Sequence, residues 1–367
     1  MTLEQTGGAA LMLLFIADIF LTVLYARAGT GLLAPRWNRL LWAAFKGISK
    51  PFGRREGLIL SLAGPVIVIL LIAFWTLGLA LGAALIIRPE LGVSVLPSNG
   101  DTPRDFITAL LVAGNSLSIV GSGDYAPHTT GTRLLFLVNS LTGASVLSLV
   151  LSYLVQVYSA LRERNALALT IDLMTDGTGD AAVMLSRLMP AGDSSDATSE
   201  LGNLVRALAA TKEAHHFYPL LFYFRFEDPR YAVSRFSFIL LDLTALIDAA
   251  LDQRRYQSLI GSAPVTALRR GSLLLLETLD RNFPERGSRA DSPAETWLER
   301  QSYAAAVSTL SRAGIAAHPD GVEGYVTIRA GWEPIVRRVA PTLGDAAKEF
   351  DRRASTRASG PSAVATS

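Results

Sequence analysis

Long apolar runs alternate with charged segments over the first 160 residues, and short amphipathic periods take over afterwards. Ala9 to Ala26 is apolar apart from one acid, Asp18, while Gly57 to Ile87 and Leu134 to Leu161 carry no charge at all. A helix needs about 20 apolar residues to cross a bilayer, so the pattern predicts three membrane-spanning helices. Pro65 predicts either a kink in the second or its true start. The first run is a poor cleavable leader, because MTLEQ holds no basic residue and no small-residue cleavage site follows. Asp105 to Ser116 is apolar but too short to cross, which suits a short re-entrant helix, with Asp101-Thr102-Pro103 as its start signal. Beyond Arg162 the helical period dominates. Phe236, Leu240, Leu243, Ile247 and Leu251 form one stripe, but Arg235, Asp242, Asp248 and Asp252 interrupt it, so it is no fourth span. Leu201–Ala214, Pro264–Leu279, Thr296–Arg312 and Glu333–Val339 read as further helices. The fold expected is all-α: an integral membrane protein with three transmembrane helices and a re-entrant loop, followed by a cytoplasmic bundle of five to eight helices.

Charge adds an orientation. Residues 1–160 hold 10 Lys+Arg and 7 Asp+Glu, and residues 161–367 hold 24 and 25, so the second part has the composition of a soluble domain. Between the first two runs stand Arg27, Arg36, Arg39, Lys46, Lys50, Arg54 and Arg55 against Glu56 alone. The positive-inside rule assigns that loop to the cytoplasm, with the N-terminus outside and the C-terminal half inside a cell membrane. Within it, RWNRLLWAAFKGISKPF interleaves Trp37 and Trp42 with bases, as expected of a helix lying on the inner leaflet. The domains read as 1–56 (first span and interfacial segment), 57–160 (two spans and the loop between them), 161–350 (helical domain) and 351–367 (disordered tail). A net charge of +2 without a basic aromatic patch argues against nucleic acid as a partner. The absence of cysteine excludes disulfides, thiolate metal sites and a Cys nucleophile.

A span, a short helix, the glycine-punctuated run SIVGSGD and a further span form the order of a pore module, because non-helical backbone at membrane depth survives only where it is buried or lines water. Residues 57–160 resemble the two-helix-plus-pore-loop unit of the tetrameric potassium channel family. The family's filter T-V-G-Y-G-D, with a proline shortly after, aligns with Ile119, Val120, Gly121, Ser122, Gly123 and Asp124, with Pro127 following. Gly143, twenty residues beyond Gly123, stands where the family carries a hinge glycine in its inner helix. The resemblance implies four chains around one axis and backbone carbonyls of residues 119–122 lining a path for K⁺ or another monovalent cation. It also implies Asp124 at the outer mouth, and Ala144, Leu147 and Leu151 facing an inner vestibule. No cofactor is expected beyond the permeant ion; the bilayer and three further copies of the chain are the expected partners.

The departures are chemical. Ile119 lacks the hydroxyl the family uses at its innermost ion site, and Ser118, one residue earlier, keeps one that should point behind the filter. Ser122 replaces an aromatic wedge, and Leu111 and Val112 replace its aromatic socket. Asn115 stands where many members brace the filter with glutamate, and its amide can donate to filter backbone. Three readings follow: a cation channel with relaxed K⁺/Na⁺ discrimination, a non-conducting scaffold or sensor derived from a pore, or an unrelated membrane enzyme. Asp18, an acid within a span, is a functional candidate by default, against the plainer alternative of a hydrogen bond to a neighbouring helix. The helical domain shows neither the strand–helix alternation with G-x-G-x-x-G of a dinucleotide fold nor a cyclic-nucleotide β-roll, so its ligand or partner is not named. Glu213, His215, His216, Glu227 and Asp228 around FYPLLFYFRF read as core and surface of a helix pair, since adjacent histidines cannot share one helix face. DGTGD (176–180) reads as a turn.

Overall fold

The computed structural model describes residues 2–25, 31–118, 121, 123–282, 293–343, 345, 350–351 and 353. The chain divides into two compact units, one of residues 1–51, 62–159 and 217–221, the other of 52–61, 160–216 and 222–367.

The first unit holds α1 (Leu3–Ile19), which runs on into a π-helical turn (Phe20–Leu24), then α2 (Ala34–Ser49), most of α3 (Glu56–Ile87), α4 (Phe106–Leu117) and most of α5 (Thr130–Met174). α1 with its π turn, α3 and α5 are long and apolar enough to cross a membrane. Thr2 and Gln5 close a capping box on α1. α3 neither starts nor stops at Pro65; it begins at Glu56 and runs through the proline. The carbonyl freed by the missing N–H is tolerated in a long apolar helix, whose remaining ladder is intact.

α1 docks on one face of α3. Gly78 and Gly82 stand one turn apart there, and a side-chain carbon at Gly78 would overlap the Phe15 ring, while one at Gly82 would come 2.6 Å from Met12 Cγ. Small residues at four-residue spacing let two spanning helices approach closely. Trp75, one turn earlier on that face, is buried and donates its indole N–H to Asp18 Oδ2 at 2.8 Å. Asp18 Oδ1 also accepts the backbone N–H of Leu33 at 2.7 Å, and Asp18 Oδ2 that of Ala34 at 3.2 Å. These are the leading amides of α2, which has no side-chain cap of its own and no acid in its first turn. The acid therefore caps a helix that begins sixteen residues later, where the positive end of the helix dipole favours it. It is a structural joint, the plainer of the two readings of Asp18.

The segment expected to lie on the inner leaflet is helical, as α2, but its tryptophans do not face outwards. Trp42 is buried and Trp37 stacks on Phe74 of α3, ring centroids 4.6 Å apart. Both rings are packed within the first unit, and Arg36, Arg39 and Leu40 are left on the exposed face.

In the second unit, α6 (Ala181–Leu188), α7 (Ala197–Phe217), α8 (Val233–Ala250), the short α9 (Gln257–Ile260), α10 (Ala263–Asn282), α11 (Pro293–Arg312), α12 (Val322–Ala330) and α13 (Glu333–Thr342) follow the end of α5. α8 is its centre: the stripe from Phe236 to Leu251 lies in one apolar core with Leu204, Leu268, Leu276, Tyr303 and Trp332. The interrupting Asp242 is buried too, and lies in a charged network. Tyr325 Oη donates to Asp242 at 2.5 Å, and Arg329 reaches Tyr325 Oη at 2.8 Å, Asp351 at 2.7 Å and Glu333 at 2.7 Å. Arg353 also bonds Asp242. Assigning residues 351–367 to a disordered tail is thus incorrect for Asp351 and Arg353, which are drawn in because Asp242 and Arg329 need opposite charges once buried; residues 354–367 lie outside the described residues. His215 is buried with Nδ1 2.8 Å from the Thr211 carbonyl oxygen, and burial pushes its pKa down to about 3, so it is a neutral core residue. Among the described residues no cluster of His, Asp and Glu could hold a metal. Residues 176–179 form a turn, with Asp176, Gly177 and Gly179 at positive φ.

Asp18→Ala leaves three N–H groups without their acceptor and is expected to cost about 3 kcal/mol, read as a lower thermal unfolding midpoint of the full chain in detergent. Trp75→Phe, which removes one donor and keeps the acid, should lose less. In the second unit, burial and the charge of Glu333 push the Glu299 carboxyl from 4.5 up to about 7, against Arg329 and Arg337. The folded state then keeps a proton that the unfolded chain has released, so stability falls as pH rises through that window. Midpoints measured at about pH 5 and about pH 8 should differ less in Glu299→Gln than in the unaltered chain.

Candidate functional site

The segment between α3 and α5 is held at both ends by a ribbon that the sequence pattern does not predict. β1 (Val95–Pro97) pairs antiparallel with β2 (Tyr125–Pro127) in the register Val95 with Pro127, Leu96 with Ala126 and Pro97 with Tyr125. Each strand is three residues long and carries a proline, too little alternation to register as a strand. The ribbon ties together the two ends of residues 98–124. Ser98 adds to the clasp: its backbone N–H and its hydroxyl both donate to the Asp124 carbonyl, at 2.8 Å and 3.1 Å.

α4 begins at Phe106. Its cap is Asp105, not Asp101: Asp105 Oδ1 accepts the Thr108 N–H at 2.9 Å, and Oδ2 accepts the Thr108 hydroxyl at 2.8 Å. An Asp followed three residues later by a threonine satisfies two donors, which Asp101 ahead of Thr102-Pro103 cannot match. Those Thr108 bonds hold the Asp105 carboxyl below the usual carboxylate range. Ala109, Val112 and Ala113 turn into a core with Ala83, Ala84 and Ile87 of α3 and Phe136 of α5.

α5 receives the C-terminal turn of α4 on a stripe of three residues, Phe136, Asn139 and Gly143. Asn139 is fully buried and donates Nδ2–H to Ser116 Oγ at 3.0 Å, and Ser116 Oγ in turn donates to the Ala113 carbonyl at 2.8 Å. At Gly143 a side-chain carbon would collide with the Leu117 carbonyl oxygen. Gly143 lies within the continuous helix of α5, where its missing side chain admits the last turn of α4. Asn139 was not singled out from the sequence, although an amide four residues ahead of Gly143 in an uncharged run is the sort of signal that marks an interhelical hydrogen bond.

The expected filter residues are only partly described. Ile119, Val120 and Ser122 lie outside the described residues. Gly121 and Gly123 have φ of 99° and 59°, backbone that glycine adopts without a Cβ penalty. Asn115 is brought to Gly123: a Cβ built there would stand 3.3 Å from Asn115 Nδ2. Ser118 caps the end of α4, its N–H donating to the Gly114 carbonyl at 2.9 Å and its hydroxyl to the Asn115 carbonyl at 2.9 Å. Asp124 is exposed. Of the three α5 residues assigned to a vestibule, Leu147 and Leu151 are exposed and Ala144 is half-buried.

Residues 65–160 match the family model described as "Ion channel". They are an ion-channel domain. The match spans α3 from Pro65, the ribbon, α4, the glycine segment and α5 as far as Ala160, the residues that form the seat and clasp above. The chain is also 24% identical over 173 residues to the uncharacterized membrane protein YdjJ of Bacillus subtilis (strain 168), across 47% of this chain and 49% of that one. It thus spans about half the length of the curated relative it matches. No solved structure matches the chain. The channel domain, the apolar helices and the membrane-protein relative agree on a membrane location.

Two glycines of the channel domain separate packing from propensity. Gly114 of α4 has open space around it, whereas Gly143 does not. Gly143→Ala is expected to cost about 2 kcal/mol by overpacking against Leu117, while Gly114→Ala should be neutral or slightly stabilising. Thermal unfolding of the two variants in detergent checks the contrast.

Proposed function

We propose that four copies of this chain assemble a pore for passive conduction of K⁺ or another monovalent cation, with weak discrimination between K⁺ and Na⁺. The observation that carries the reading is the seat on α5: the carbonyl end of a short apolar helix is held against Gly143 and Asn139, immediately before a Gly-x-Gly-Asp segment, inside an ion-channel domain. The C-terminal end of a helix dipole favours a cation, and the carbonyls of residues 119–122 supply oxygens to replace its water. Asn115 beside Gly123 serves as the brace behind that segment, Asp124 stands at the outer mouth, and Gly143 doubles as the point about which α5 bends on opening. In this reading the N-terminus is outside and the second unit, in the cytoplasm, holds the tetramer or transmits a signal to α5. The reading assigns the protein ion transfer and no enzymatic step. Ile119 and Ser122 favour low selectivity, since neither the hydroxyl nor the aromatic wedge of the family is there.

Purified full-length protein in liposomes should pass K⁺ and Na⁺ above the leak of empty vesicles. Ile119→Thr combined with Ser122→Tyr should raise the preference for K⁺ under bi-ionic conditions. Absence of flux for every monovalent cation, with the tetramer intact, would leave the non-conducting scaffold as the better reading. Unchanged permeation in the double variant would show that these two positions do not line the path.

A further inference from the structure

α7 ends in Phe217, and residues 217–221 belong to the first unit. Tyr218 sets its ring edge-on against Tyr153 of α5, centroids 5.8 Å apart, and Tyr153 is buried. Phe217 lies tilted beside Tyr218, at 6.4 Å, yet is 45% exposed. Tyr158, farther along α5, is 48% exposed. A packed aromatic contact on a spanning helix thus carries two half-open rings at its edge.

Two independent markers place that contact at the edge of the hydrocarbon. Arg133 is the last charged residue before the uncharged run of α5, and Tyr153 follows it by 20 residues (153 − 133). That is about 30 Å of helix, the thickness of a bilayer's hydrocarbon core. The start of the path is matched on α3, since Phe136 shares a core with Ile87, next to Arg88. The second marker is α2. Its Ala34 packs in one core with Leu71 of α3 and with Val150, three residues before Tyr153. Arg36 and Arg39 of α2 are exposed, and exposed guanidinium groups belong where water or headgroups reach them. Both markers put the level of Val150 to Tyr153 at the membrane boundary.

We propose that Phe217 and Tyr218, with Tyr158, form an aromatic anchor seated among the phospholipid headgroups beside α5. Rings that join an apolar body to a polar tip settle at that boundary, and the exposed arginines at the same level give lipid phosphates a counter-charge. The inference rests on the membrane location and not on conduction. It also accounts for an exposed phenylalanine at the end of a helix, which the core of the first unit does not need.

Because the chain has no cysteine, Phe217→Cys can carry a single fluorescent label. With the full-length protein in phosphatidylcholine vesicles, quenching by a phospholipid bearing a nitroxide on its headgroup is compared with quenching by one bearing it near the end of an acyl chain. Leu77→Cys is the mid-membrane reference, exposed on α3 and about 16 Å along it from Arg88. Leu173→Cys, exposed in the second unit, is the aqueous reference. The label at position 217 should be quenched about twofold more by the headgroup nitroxide than by the deep one, the reverse of position 77. Position 173 should respond to neither. Tyr158→Cys is a second reporter with the same expectation if the first variant does not fold. A label at 217 that behaves like 173, or like 77, would overturn the proposal. So would disulfide formation between copies carrying Phe217→Cys, which would mean that a second copy covers the ring in place of lipid.

Discussion

A carboxylate surrounded by hydrocarbon is tolerated only if its lone pairs are used, and the leading amides of a helix are tolerated only if something accepts them. Asp18 meets both conditions at once. It takes the first N–H groups of α2 and the indole N–H of Trp75, so three helices share one buried side chain. The glycines of α3 let α1 come close enough for that reach, and the docked α1 and α2 in turn cover Trp75, Leu71 and Leu79 on α3. The amphipathic segment is thereby a packed part of the first unit, with its aromatic rings turned inwards.

The same economy of small and polar residues governs the channel domain. α4 is held by one amide, one hydroxyl and one absent side chain, at Asn139, Ser116 and Gly143. The ribbon of β1 and β2 clasps the two ends of the segment that follows, so the glycine run is flanked on one side by a capped helix end and on the other by a hydrogen-bonded strand. None of these contacts is large in area. Each is specific because a buried polar group without its partner costs about 1–3 kcal/mol, and a helix backbone against a carbonyl leaves no room for a methyl group.

The second unit solves a different problem with the same chemistry. A core helix, α8, carries Asp242 among apolar neighbours, and Arg329, Arg353 and Tyr325 converge on it. A network of this kind is weak as a source of stability, but losing one partner leaves an uncompensated buried charge. It therefore recruits residues 351 and 353, which by composition alone belong with the tail.

Periodicity was enough for the three long apolar helices and for the helical character of the rest, because those depend on local spacing and on what a bilayer tolerates. The register of Gly143 against α4 was anticipated only as a glycine twenty residues past Gly123; that it seats a carbonyl required the third dimension. Asp18 was visible as an acid in a span, but its partners lie 15, 16 and 57 residues away. The ribbon, the inward tryptophans and the docked C-terminal residues were invisible for the same reason. Sequence by itself determined which segments must avoid water, since that follows from composition over a helical turn or two. Tertiary structure alone decided which polar groups satisfy one another, because hydrogen bonds are directional and their partners are distant in the chain.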